Sequence, residues 1–140
     1  MSDDPSLEAP YQWFAARDEV ERLASRFYDL MEEQEPELRD MHRLDSNGKV
    51  AANSRERFAL FLVGWLGGPQ EYMAEHGHPR LRMRHAGVAV NTNARDAWMR
   101  CMNCALDEAM TRNSGVTQQR AQFLRQRFSE VADFMRNQKH

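Results

Sequence analysis

The stretch GWLGGPQEYMAEHGHPRLRMRH, from Gly64 to His85, separates two helical parts of the sequence and carries many of its unusual side chains. It opens with the helix-terminating run Gly67 to Pro69 and continues as a polar segment interrupted by Gly77 and Pro79. We therefore predict a long loop from residue 70 that ends in a short helix at His85. Ordered loops of this length usually have a function.

Outside this stretch, apolar residues recur at three- and four-residue steps, which is the pattern of amphipathic helices. The clearest case is a segment with the apolar residues Val20, Leu23, Ala24, Phe27, Leu30 and Met31. The same spacing predicts helices over residues 52–66, from Asn91 or Thr92 up to Asn113, and over 117–137. Shorter helical segments are expected over 10–16 and 36–41, and the sequence DSNG at 45–48 predicts a loop.

The composition favours a single all-α domain. The chain has 140 residues, and its β-branched residues number only seven Val and three Thr, with no Ile. We expect the acidic, proline-containing residues 1–9 to be a flexible extension and residues 10–140 to form the domain. No segment approaches the ~20 apolar residues of a membrane span. The net charge of -2 argues against nucleic-acid binding, and the absence of a signal-peptide pattern predicts a cytoplasmic location.

Three histidines in the polar stretch, His76, His78 and His85, allow a zinc-stabilised helical interaction module as one interpretation. Structural zinc sites usually include thiolates, and the two cysteines, Cys101 and Cys104, lie on a different predicted helix. The cysteines themselves are best explained as small buried apolar residues, because a CxxC pair inside a long helix lacks the context of a redox motif.

His85 has a second interpretation, because Arg80, Arg82 and Arg84 precede it closely. A planar metal-containing cofactor with carboxylate groups needs an imidazole for the metal and cations for the carboxylates. A cofactor-free module that meets an acidic partner through the same arginines is the remaining alternative.

Three motifs decide between these interpretations. The stretch quoted above, the segment RDAWMRCM at Arg95–Met102 and the segment RFYDLM at Arg26–Met31 together resemble the group II truncated hemoglobins. The resemblance extends from about Tyr11 to Met135, with the motifs in the same order and at similar separations. It implies a truncated globin fold, a two-over-two helical sandwich that encloses heme b.

The resemblance also implies roles for individual residues around the iron. His85 matches the proximal ligand, and Tyr28 matches the distal tyrosine of the FY pair. Trp98 matches the tryptophan that lies over the heme on the distal side. His42 falls at a distal position where relatives most often have Tyr or Phe, and it is also a candidate for the sixth coordination position.

Counting along the next helix places two more residues in the implied distal pocket. Ser54 falls at the distal gate, and Phe58 lies one helical turn further in, against the heme. At the rim, Arg84, Tyr72 and Arg80 match the family's contacts to the heme propionates.

The function implied by this resemblance is the binding of O2 and other diatomic ligands, namely NO and CO, with peroxide as a further ligand of the ferric protein. Oxygen transport is one use of such a site. A polar pocket that releases O2 slowly is better suited to NO dioxygenation, peroxide reduction or sensing. Any such turnover requires electrons from an external reductase, because we find no reductase sequence in the chain.

Overall fold

The computed structural model describes residues 9–80 and 89–137, and these residues form a helical fold. A short 3-10 helix, Pro10–Trp13, is followed by α1 (Arg17–Gln34), α2 (Pro36–Arg39), α3 (Ala52–Trp65), α4 (Glu71–His76), α5 (Thr92–Arg112) and α6 (Gln118–Met135). Within the described residues, β pairing is limited to one isolated bridge between Leu44 and Val50. The predicted all-α class is confirmed.

The long helix α1 is in contact with two of the three other long helices. This helix packs against both α3 and α5, and α5 packs in turn against α6. The two pairs of helices form the predicted two-over-two sandwich. None of the helices in the described ranges combines the length and hydropathy needed to cross a membrane.

The apolar face predicted for α1 forms the centre of the core. Its six apolar residues, Val20, Leu23, Ala24, Phe27, Leu30 and Met31, are each at most 3% exposed. They pack in one cluster with residues of α3, α5 and α6, of which Leu62, Met102 and Leu124 are examples. Burial of this stripe explains why α1 is helical over its whole length.

Side chains cap the N-termini of α5 and α6, and the cap of α5 is one of the two predicted residues. The Asn91 side-chain oxygen accepts a 2.9 Å hydrogen bond from the backbone N–H of Ala94, so Asn91 is the N-cap of α5. Thr117 caps α6 in the same way, with its hydroxyl accepting from the N–H of Arg120. The last helix ends at Met135, slightly earlier than predicted.

The loop predicted after residue 70 is wrong for its first part, which forms α4. The helix forms because Tyr72 is buried, with its ring 6.0 Å from the ring of Phe61 on α3. This tertiary contact outweighs the weak local helical pattern. Gly77, at a φ of 75°, ends the helix in a conformation that favours glycine. The short helix predicted at His85 lies outside the described residues.

Candidate functional site

A cavity of about 470 Å3 lies between the helices, in the size range of small-molecule and cofactor sites. Residues of all six α-helices and of the segment between α2 and α3 line it. Its walls are mainly apolar and aromatic, including Phe58, Phe61, Trp65, Trp98 and Phe128. Phe58, Phe61 and Trp65 are only partly buried although they lie on the inner face of α3, because they face this cavity.

Tyr28 lies on α1 and places a phenol ring at the cavity. The residue is buried, and its ring packs edge-on against Phe58 at 5.5 Å and against Phe27 at 5.1 Å. Burial raises the pKa of the Tyr28 hydroxyl above its ordinary value, and the charge of Arg55 acts in the opposite direction. The hydroxyl therefore keeps its proton at neutral pH and can donate a hydrogen bond.

His42 follows α2 and lines the cavity beside Tyr28, with the two ring centroids 5.7 Å apart. Its Nδ1 lies 2.8 Å from the carbonyl oxygen of Leu38. A carbonyl oxygen can only accept, so Nδ1 carries the hydrogen and Nε2 of the neutral ring is an acceptor. The N–H of a neutral His42 ring is therefore used by the backbone.

Trp98 reaches the cavity from α5, and its ring contacts Phe27, which also contacts Tyr28. The rings of Trp98 and Phe27 are 5.1 Å apart, and Phe58 is also 5.1 Å from Phe27. Phe27, a core residue, thus holds the positions of three cavity-lining rings. Tertiary packing therefore brings Tyr28 and Trp98, which are 70 positions apart in the sequence, to the same cavity.

Ser54 and Asn53 line the cavity from the first turn of α3. Ser54 is half-buried, while Asn53 is exposed. Ser54 and Phe58 are four residues apart on this helix, and both line the cavity.

Two arginines at the cavity, Arg43 and Arg57, were missed by the sequence analysis. Both are exposed residues that line it, and in residues 9–80 and 89–137 neither forms an ion pair. Arg95 also lines the cavity, but its Nε donates to Asp133 at 2.7 Å. Arg57 could have been found from its spacing, because it lies three residues after Ser54 on the same face of α3.

The residues expected at the rim lie in different places in the structure. Tyr72 is buried and lines the cavity. Arg80 is exposed and is not among the cavity-lining residues; its backbone N–H donates to His78 Nδ1, and its φ of 48° is in the left-handed region. The assignment of Arg80 to the heme propionates stays a prediction. Arg84 and His85 lie outside the described residues, as does Arg82.

The residues proposed for zinc or redox chemistry do not form a site in the described part of the chain. No group of three or more His, Cys, Asp or Glu that could hold a metal ion occurs in residues 9–80 and 89–137. Cys101 and Cys104 are free thiols, and Cys101 is buried. Burial raises the pKa of Cys101 to about 12, with a smaller contribution in the same direction from the charge of Glu35. These properties agree with the interpretation of Cys101 as a core residue.

The cavity, the helical layers and the polar residues on α1 and α5 are those of a small globin, and comparison with known proteins agrees. A family model described as bacterial-like globin matches residues 11–136. The group 2 truncated hemoglobin of Bacillus subtilis is 32% identical over 133 residues, which cover 95% of this chain and 92% of that protein.

Solved structures show the same relationship. The cold-adapted truncated hemoglobin of Pseudoalteromonas haloplanktis superposes with a TM-score of 0.82 and 37% identity, covering 94% of this chain and 99% of that one. The truncated oxygen-avid haemoglobin from Bacillus subtilis superposes with a TM-score of 0.77 and 30% identity, covering 93% of this chain and 100% of that one. The chain therefore belongs to the bacterial-like globin family, among its group II truncated hemoglobins. Membership implies heme binding and heme-based binding of small ligands.

The residues that line the cavity fit a heme. An apolar, aromatic interior suits the faces of a porphyrin, and two arginines without ion-pair partners in the described residues suit carboxylates at its edge. Arg43 and Arg57 would meet those carboxylates, with Tyr72 against the same group.

Proposed function

We propose that the protein binds heme b in this cavity with His85 as the proximal ligand, and that Tyr28 and Trp98 retain O2 on the distal side. The observation that carries this proposal is the convergence of a buried tyrosine and a tryptophan, from two different helices, on one apolar cavity with cations at its edge. The oxygen-avid relative from Bacillus subtilis supports O2 as the ligand.

The heme would supply an iron coordination position for a diatomic ligand and electron density that gives bound O2 partial negative charge. Tyr28 and Trp98 each have one polar hydrogen that can be donated to such a ligand. Burial of Tyr28 keeps its hydroxyl protonated, so it acts as a donor at neutral pH. The surrounding aromatic rings exclude water and strengthen each hydrogen bond electrostatically.

His42 acts on the ligand through Tyr28 in this proposal. Its Nδ1–H is held by the Leu38 carbonyl, so the neutral ring presents Nε2 as an acceptor next to the Tyr28 ring. Accepting from the hydroxyl would orient Tyr28, while donation to the ligand would need a protonated ring. We therefore expect His42 to adjust the effect of Tyr28 rather than to add a third donor.

The polar distal side favours slow O2 release, which suits oxidation of NO to nitrate or reduction of peroxide better than oxygen delivery. Either reaction draws electrons from an external reductase. NO, CO and peroxide are therefore further ligands in this proposal, and the reductase is its protein partner.

The experiment compares release rates of O2 and CO by stopped flow in Tyr28→Phe, Trp98→Phe, His42→Phe and the Tyr28→Phe/Trp98→Phe double variant. A hydrogen bond to a charged acceptor contributes about 1.5 to 3 kcal/mol, so loss of one donor should accelerate O2 release by on the order of ten- to a hundredfold. CO is less polar when bound, so its release should change much less. His42→Phe should have a smaller effect on O2.

The two donors can share one ligand, so each single variant can fall below this magnitude while the double variant exceeds it. The CO measurement is the internal control for general damage to the cavity. If the double variant releases O2 at the parent rate, Tyr28 and Trp98 do not hold the ligand and the proposed distal site is wrong.

A further inference from the structure

Arg55, in the first turns of α3, lies against the ring of Tyr28 on α1. Its guanidinium carbon is 5.6 Å from the centroid of the Tyr28 ring, within the range of a cation–π contact. The neighbouring residue Ser54 lines the cavity, but Arg55 is not among the cavity-lining residues. Arg55 therefore approaches Tyr28 without itself facing the ligand space.

The guanidinium of Arg55 is held by several acceptors. One terminal nitrogen donates to Glu32 Oε2 at 2.6 Å, and the other donates to Asp29 Oδ1 at 3.0 Å and to the Ser25 carbonyl oxygen at 3.3 Å. The side chain is only 22% exposed. A guanidinium with this many fixed partners has little freedom to leave the Tyr28 ring.

Glu32 connects this ion pair to the rest of the fold. Its side chain is 7% exposed, and its Oε2 also accepts a 2.7 Å hydrogen bond from the backbone N–H of Val50. Lys49 Nζ lies 3.8 Å from the other oxygen. The cluster therefore links α1, the segment before α3, and α3 itself. A partly buried charge cluster costs desolvation energy, so a stabilising role alone is a weak explanation for it.

We infer that Arg55 is a positioning residue for the distal site, which fixes the Tyr28 ring and strengthens the Tyr28 hydroxyl as a hydrogen-bond donor. This inference rests on the proposed function, because it assigns Arg55 a role only through Tyr28. A cation over the ring stabilises the negative charge that develops on the phenol oxygen when its hydrogen is shared with a ligand.

The electrostatics around Tyr28 agree with this geometry. Burial is the main cause of its raised pKa, and Arg55 opposes that rise. Asp29 and Glu32 pair with the guanidinium, while His42, Phe27 and Phe58 contact the Tyr28 ring by their own rings. Arg55 is therefore a cation in contact with the ring, held there by its two carboxylate partners.

The test uses heme-loaded Arg55→Met, which keeps length but removes the charge, and Arg55→Lys, which keeps the charge. Arg55→Met should release O2 on the order of three- to tenfold faster, with CO release changed by less than about twofold. Arg55→Lys should lie closer to the parent. Lys49→Met is the matched control, because it removes a cation from Glu32 without touching Tyr28, and it should release O2 at the parent rate.

A double-mutant cycle separates action through Tyr28 from general effects on the fold. In a Tyr28→Phe background, Arg55→Met should cause no further change in O2 release. Infrared spectra of the CO complex give a second readout: Arg55→Met should raise the C–O stretching frequency, because the positive potential near the ligand is weakened, and Lys49→Met should not. Arg55→Gln provides the same comparison if Arg55→Met does not fold.

The outcomes distinguish this inference from the function on which it rests. If Tyr28→Phe accelerates O2 release but Arg55→Met and Arg55→Gln do not, Arg55 has no positioning role and the proposed distal site stands. An equal effect of the Arg55 substitution with and without the Tyr28 hydroxyl also overturns the inference. If Tyr28→Phe itself leaves O2 release unchanged, the proposed role of Tyr28 fails first.

Discussion

Replacing Arg57 with methionine removes a cation from the edge of the cavity while keeping the apolar part of the side chain. Arg57 is exposed, and in the described residues it has no ion-pair partner of its own. The substitution therefore breaks no ion pair within these residues. If the guanidinium meets a heme propionate, its loss should weaken heme retention and leave the stability of the heme-free protein nearly unchanged.

The exposure of Arg57 sets the size of the effect. An ion pair in contact with solvent contributes about 0.2 to 1 kcal/mol, so heme should leave Arg57→Met up to about fivefold faster than the parent. Salt screens such pairs, with a Debye length of about 3 Å at 1 M ionic strength, so the difference should shrink at high salt. Arg43→Met should act in the same direction, because Arg43 lies at the same cavity.

Heme loss can be followed by transfer to an excess of a heme-scavenging apoglobin at low and at high salt. Arg39→Met is the matched control, because Arg39 pairs with Asp40 at 2.9 Å and does not line the cavity. The control should lose heme at the parent rate. If Arg57→Met and Arg43→Met also do so at low salt, the cavity arginines do not contact the propionates and the reasoning is refuted.

Three further predictions concern the protein framework. Phe27→Ala should lower the free energy of unfolding, measured by urea titration, by about 3 to 5 kcal/mol. Phe134→Ala, at a residue 55% exposed, should change it by less than about 0.5 kcal/mol. Equal effects would contradict the packing role of Phe27. Arg112 lowers the pKa of Glu19 from its ordinary 4.5, so the charged form of Glu19 stabilises the folded protein. As pH falls below 4.5, the free energy of unfolding of the parent should decrease by about 1 kcal/mol relative to that of Glu19→Gln. Parallel curves of unfolding free energy against pH would contradict this. With a pKa of about 12, Cys101 should be a thiolate in only about one molecule in ten thousand at pH 8, and fast labelling of this thiol in the folded protein would contradict its burial.

The helices of this fold could be predicted because their apolar residues are continuous and regularly spaced. The α1 face from Val20 to Met31 is buried as the spacing predicts, and Asn91 caps α5 through its side chain. The helix α4 could not be predicted in this way, because the burial of Tyr72 against Phe61 depends on α3 folding back over it.

The cavity residues were predicted by resemblance rather than by spacing. Tyr28 and Trp98 each occupy an apolar helical face, where a core position was the simplest explanation, and only the fold shows that both reach one cavity. Arg57 was not predicted because arginines occur throughout the sequence; its three-residue spacing from Ser54 on α3 was the signal that pointed to the cavity. Arg80 was expected at the rim from its place in a motif; it is exposed, with a backbone in the left-handed region, and its contact to the propionates stays a prediction.

Controls for the proximal assignment come from the same polar stretch. His76 lies at the end of α4 beside Tyr72, with ring centroids 5.1 Å apart, and His78 accepts from the backbone N–H of Arg80. Both residues have local contacts that explain them without a metal. His76→Ala and His78→Ala should therefore leave the iron spectrum largely intact.

The most direct test is a titration of the purified protein with hemin, followed by absorbance, in the parent and in His85→Gly. The parent should take up one heme per chain with a strong Soret band, while His85→Gly should retain heme weakly and recover the lost coordination when imidazole is added. A parent protein that takes up no hemin would contradict the heme-binding function. A His85→Gly protein with unchanged spectrum and heme affinity would contradict the proximal ligand.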